Sequence, residues 1–194
     1  MAWIVKVGVH AYLTQSEMEN NATEFYGYFN SKGFTIESVA GMLGNLQQES
    51  NINPGMKQTA SASSGWGLIQ WTPSSNLTNY ATAHGADWFT GEIQTQLMWD
   101  EIINGYGGQW IPKPSLGYGY TGAEFSKLTD VYEACKAYLY ERERAGVEAL
   151  TKRLTYASNW YEYLTGVTPP TPPTPPTPTK RKGMPIWMMC RPLF

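Results

Sequence analysis

Glu49 stands near the end of the run Leu46-Gln47-Gln48-Glu49-Ser50, Pro54 follows after a short polar stretch, and Gly65-Trp66-Gly67-Leu68-Ile69-Gln70-Trp71 comes next. A carboxylic acid at the end of an apolar helix suits general-acid chemistry. The reaction that most needs it is cleavage of a glycosidic bond, because the departing sugar oxygen is too basic to leave unprotonated. Met42 and Leu46 fall seven and three residues before Glu49, on the same helix side. The helix is expected to end within Asn51 to Pro54, which puts the carboxylate near the negative pole of the macrodipole. Both surroundings disfavour ionisation, so the pKa is expected to rise to about 6.

A second carboxylate decides the reaction type. Inverting hydrolysis needs a base about 6.5 to 9.5 Å from the acid, and retaining chemistry needs a nucleophile about 5 to 5.5 Å away. Glu141 and Asp87 are the candidates, although Glu141-Arg142-Glu143-Arg144 also has the form of a solvated, charged helix turn. Trp66 and Trp71 flank Gly67-Leu68-Ile69-Gln70; either can present an aromatic face to a sugar, and at least one is expected in the core. Ser50 is placed to hydrogen-bond near Glu49 or, alternatively, to its own helix backbone.

These residues need a scaffold, and the composition supplies one. With 194 residues, 42% of them hydrophobic and 14% aromatic, the chain can bury one ordinary core with an appendage left over. Ser16-Glu17-Met18-Glu19 has capping-box form and predicts a helix to about Ser31, ended by Gly33. Thr35 caps a second helix with Ile36, Val39, Ala40, Leu43 and Leu46 on one face. Gly41 and Gly44 inside it each cost about 1 kcal/mol relative to Ala, which points to another backbone packed closely there. Trp66 to Thr72 reads as a short strand or hairpin. Helical pattern returns at Ser75–His84, Gly91–Asn104, Ala123–Lys127, Val131–Glu143 and Ala145–Leu164, with a glycine-rich loop over Gly105–Gly122. The class is mostly α, in the α+β sense, with the small β element after the helix that carries Glu49.

At Thr168 the composition shifts to repeated Thr-Pro-Pro, an extended polyproline II spacer unable to pack a core. The expected organisation is a domain over 1–166, a Thr/Pro-rich linker over 167–179 and a basic, apolar tail over 180–194. Residues 1–165 carry ten Lys and Arg against sixteen Asp and Glu, a net −6, and the remainder carries four basic residues and no acid. An acidic body argues against nucleic-acid binding. His10 and His84 stand alone, so no metal site is expected, and no cofactor motif is present. Cys135 has the spacing of a buried helix residue and Cys190 lies beyond the spacer, which disfavours a cysteine nucleophile and favours free thiols. The start of the chain shows neither a basic leader nor a membrane span, so synthesis in a host cytoplasm without a signal peptide is expected.

Glu49-Ser50 followed by Pro54 and then Gly67-Leu68-Ile69-Gln70 resembles the Glu-Ser and Gly-Leu-Met-Gln pair of goose-type lysozymes and lytic transglycosylases. The run from Tyr138 to Val147, with Tyr156-Ala157-Ser158-Asn159-Trp160-Tyr161, resembles phage tail-tip lysozyme domains. The likeness covers about residues 12 to 165. It implies a lysozyme-like fold and Glu49 as general acid at the bond between N-acetylmuramic acid and N-acetylglucosamine. It further implies that Gln70 orients sugar or water and that Tyr140 matches a late tyrosine that hydrogen-bonds the acid or the substrate. On residue chemistry alone, Gln70 equally suits a turn and Tyr140 a half-buried helix position. Peptidoglycan strands are the implied partner, with phage tail proteins beside them and action at the cell wall from a virion or at lysis. Hydrolysis is the expected outcome; an anhydro-forming transglycosylase, or a non-catalytic glycan-binding or tail-structural module, is the alternative.

Overall fold

The computed structural model describes residues 2–144 and 149–169. Helix α1 (Gln15–Ser31) starts earlier than the Ser16 to Glu19 spacing predicts, because Thr14 is the cap. Its hydroxyl accepts the Glu17 N–H while Glu17 Oε2 accepts the Thr14 N–H at 2.7 Å. Lys6 also reaches Glu17 Oε2, at 2.6 Å, so this reciprocal cap is reinforced by the N-terminal segment in a way the later pattern is not.

Helix α2 (Ile36–Ser50) is capped by the Thr35 hydroxyl and ends at Asn51, whose φ of 56° is left-handed. Ten of its fifteen residues are buried, from more than one face, which makes it the central helix. It packs mainly against α6 (Val131–Tyr138) and α7 (Leu150–Thr165). The two internal glycines do what their cost suggested. A Cβ on Gly41 would lie 2.6 Å from the backbone nitrogen of Cys135, and one on Gly44 would lie 2.6 Å from the carbonyl oxygen of Arg153. Close backbone approach is therefore bought with glycine at two consecutive turns.

The β element is smaller than a hairpin. Strand β1 (Gly8–Val9) pairs in parallel with β2 (Met56–Lys57), Lys57 bridges to Trp66, and Trp66 bridges to Trp71. Trp66 and Trp71 exchange both backbone hydrogen bonds, at 3.3 and 3.0 Å, across the four-residue loop between them. This loop is held from outside by Gln94 of helix α4 (Gly91–Ile103). The Gln94 side chain accepts the Leu68 N–H at 2.7 Å and donates to the carbonyls of Pro54 and Trp88 at 2.8 and 2.7 Å. One buried amide thus satisfies three backbone groups that a short sheet leaves unpaired.

Helices α3 (Ser75–Ala83) and α5 (Gly122–Phe125) complete the set. The glycine-rich stretch before α5 contains two short 3-10 turns, and its Trp110 ring packs 4.8 Å from Phe125. The helix expected to run through Glu143 changes character at Leu139. Leu139–Glu143 form a π-helical turn, which buries Glu141 and Arg142 instead of leaving them solvated. Helix α7 ends at Thr165, with Gly166 left-handed behind it. The described residues form a mostly helical α+β lysozyme-like fold with a small two-stranded sheet. Nearly all of the expected linker and the whole expected tail lie outside the described residues.

Candidate active site

A groove of about 620 Å³ runs past the end of α2, and Glu49, Gln70, Trp71, Glu143, Arg144 and Arg153 are among the residues lining it. Lys57 and Gln58 on the sheet side, Gln109 from the glycine-rich stretch, and His10 and Tyr12 near the N-terminus extend its walls. Side chains from opposite ends of the sequence therefore share one solvent-filled space.

Glu49 is partly open to this space, with 20% of its side chain exposed, and it accepts an ion pair from the Arg153 guanidinium. Arg153 itself is only 2% exposed. Its other terminal nitrogen donates to Asn45 Oδ1 at 3.1 Å, and Asn45 in turn donates to the carbonyls of Gly41 and Cys135 at 2.9 and 3.0 Å. The cation that orients Glu49 is thus fixed by a hydrogen-bonded chain through the three-helix core. Met42 and Leu46 are fully buried beneath it, as the helical spacing predicts. Arg153, more than a hundred residues downstream, is a neighbour the spacing could not reveal.

Glu143 is the second carboxyl on the groove lining. Its Oε1 is buried and has no hydrogen-bond partner among the described residues. Burial first, and then the charge of Glu49, push the Glu143 carboxyl well above the usual carboxylate range, with Arg142 and Arg153 pulling the other way. The fully buried Tyr138 hydroxyl is also pushed up, by burial and then by Glu143.

The floor is a closed network. Arg142 donates from Nε and Nη2 to Glu101 Oε2 at 2.9 and 2.8 Å, and Trp71 Nε1 donates to Glu101 Oε1 at 2.9 Å. Trp71, 3% exposed, is therefore both a core residue and part of the groove wall.

The family model for phage tail lysozyme matches residues 20–164. The chain belongs to the phage tail lysozyme family. Morphogenesis protein 1 of Bacillus phage B103 is 35% identical to it over 163 residues, covering 81% of this chain and 42% of that protein. The chain thus spans less than half the length of this relative.

Within this phage tail lysozyme domain, Glu49, Gln70 and Trp71 meet at the groove and the other sequence candidates do not. Gln70 has a left-handed backbone, φ 53°, and its amide donates to the Gly67 carbonyl at 2.8 Å, so it closes the turn while facing the groove. Ser50 is buried and donates to the carbonyls of Leu46 and Leu68, at 3.2 and 2.7 Å, which fastens the loop to α2. Trp66 lies off the groove lining, with Lys57 Nζ 3.9 Å above its ring and Trp88 packed at 4.9 Å. Tyr140, inside the π turn, stacks on Tyr118 at 4.9 Å and does not line the groove.

Neither expected second carboxylate reaches the groove lining. Asp87 is exposed in the loop between α3 and α4. Glu141 is buried, and its Oε1 accepts the Tyr120 N–H at 2.8 Å. Burial pushes its carboxyl up to about 7, against the backbone groups of Tyr120 and Lys113. Glu143, two residues on, does line the groove, and alternating Glu and Arg, which look like a solvated turn, give no sign of it. Among the described residues no three His, Cys, Asp or Glu side chains group to hold a metal ion, and no helix is long and apolar enough to cross a membrane.

Proposed function

We propose that this chain is a peptidoglycan muramidase that cleaves the β-1,4 bond between N-acetylmuramic acid and N-acetylglucosamine, with Glu49 as general acid. The observation that carries the proposal is the placement of Glu49: a glutamate at the end of the central helix, opening onto a groove in a chain of the phage tail lysozyme family. A glycan strand lies along the groove, Gln70 orients sugar or water, and Trp71 offers an apolar edge to a ring. Glu49 gives its proton to the bridging oxygen as the bond to the anomeric carbon breaks. Arg153 fixes the side chain's direction, so less is lost to misorientation in each encounter.

In this reading the domain acts on the cell wall as part of a phage tail or after release at lysis, and residues 167–179 serve as a linker to the basic tail over 180–194. The test is Glu49→Gln on purified cell walls, with muropeptide masses recorded. Turnover should fall about 100- to 10 000-fold with the fold intact. Reducing muramic ends from the wild type support hydrolysis, and anhydro ends would show transglycosylation instead. A wild type that binds walls and releases nothing would leave only a binding module.

A further inference from the structure

Hydrolysis delivers one proton to the leaving oxygen and removes one from the attacking water, so a lone acid leaves the reaction half equipped. Asp87 and Glu141 are off the groove lining, and Glu143 is on it together with Glu49. Three features distinguish Glu143 from a surface glutamate. It ends the π-helical turn Leu139–Glu143, and such single-turn departures from α geometry often mark functional positions. Its Oε1 is buried with no partner among the described residues, leaving an acceptor unspent beside the groove. It also feels the charge of Glu49, which places the two carboxyls within electrostatic reach of each other.

We propose that Glu143 is the catalytic base of the reaction, taking the proton of the attacking water while Glu49 gives its own to the glycosidic oxygen. This rests on the glycosidase reading of Glu49. The step balances: a water O–H bond and the anomeric C–O bond break, and a new anomeric C–O bond and a leaving-group O–H bond form. Glu49 ends ionised and Glu143 ends protonated. Transfer of that proton back to Glu49 resets the pair; because the Glu143 carboxyl sits above the usual range, its ionised, proton-accepting form grows as pH rises, and turnover should rise with it. The groups that act on Glu143 are Glu49 from α2, Arg142 on its own turn, Arg153 from α7 and Glu101 from α4; Tyr138 of α6 is in turn raised by it. Attack by water from the face opposite the leaving sugar makes the enzyme inverting.

The experiment compares wild type, Glu49→Gln, Glu143→Gln and Glu143→Ala on cell walls and on soluble glycan fragments, with melting temperatures alongside. Glu143→Gln should lower kcat about 100-fold or more with KM little changed, and the limb of the pH profile set by Glu143 should disappear. Azide needs no base, so it should restore turnover to Glu143→Ala and yield a glycosyl azide. Should Glu143→Gln fail to fold, Glu143→Asp is the variant read, and a reduced kcat is expected there too. Full turnover in Glu143→Gln or Glu143→Asp overturns the proposal, as does failure of azide to rescue a folded Glu143→Ala. A wild type without lytic activity, or a fully active Glu49→Gln, would instead overturn the glycosidase reading itself.

Discussion

Two arginine–glutamate pairs border the groove and differ in their access to water. Glu101 and Arg142 are 2% and 8% exposed, three hydrogen bonds converge on the carboxylate, and Trp71 supplies one of them. Glu49 and Arg153 repeat the chemistry with one side left open: the arginine is 2% exposed and the glutamate 20%. The closed pair is architecture, because a buried charge stripped of its partner has nowhere to be solvated. The open pair keeps one carboxylate oriented and still accessible to a substrate.

Breaking each pair in turn measures that difference. Arg142→Ala strands the Glu101 carboxylate, already pushed up by burial, and should cost about 3–5 kcal/mol in denaturant unfolding. Arg153→Ala leaves Glu49 at the edge of the groove, where water replaces the lost partner, so the loss should be smaller, roughly 2 kcal/mol. Equal losses would erase the distinction between a sealed pair and an open one.

Glu141 sharpens the contrast from another side, as a buried carboxyl with no ion pair among the described residues. Its folded-state value of about 7 lies above the ordinary 4.5. Between those two values the unfolded chain ionises while the folded one holds its proton, so Glu141 makes stability fall as pH rises through that window and level off above about 7. Melting curves of wild type and Glu141→Gln across pH 4 to 8 should therefore converge at the acid end and separate above it, with the wild type losing ground. Parallel curves would show that Glu141 does not titrate there. The smallest effect belongs to the end of α7. Ending the chain after Gly166 removes the Thr168 hydrogen bond to Glu162, the two between Thr165 and Val167, and the buried Pro169, and should cost about 1 kcal/mol.

What the sequence discloses and what it conceals divide along contact range. Thr35 and the glycines at 41 and 44 act on residues a few positions away or on any backbone that comes close, and their consequences are readable directly. Two adequate local patterns compete for the first cap; Thr14 holds it, and Lys6 adds an ion pair to its Glu17 partner. Glu49 was legible because its helix, its apolar neighbours and the following turn are contiguous. Arg153 was not, since only the packing of α7 against α2 brings it there. The π turn is the other blind spot. Charged residues in alternation give no hint that Leu139–Glu143 forms a π turn, in which Tyr140 stacks on Tyr118 and Glu143 lines the groove.

Clamped through Gly41 and Gly44 against two neighbouring backbones, the helix bearing Glu49 leaves no room at either contact for even one added methyl group. Across the groove, residues 56–72 are fastened by other means: backbone pairing of β1 with β2, side-chain bonds from Gln94 and Ser50, and the Trp71 bond to Glu101. The position of Glu49 therefore depends on helix packing and that of the opposite wall on a few local bonds, so losing Gln94 should disturb the wall while leaving Glu49 where it is.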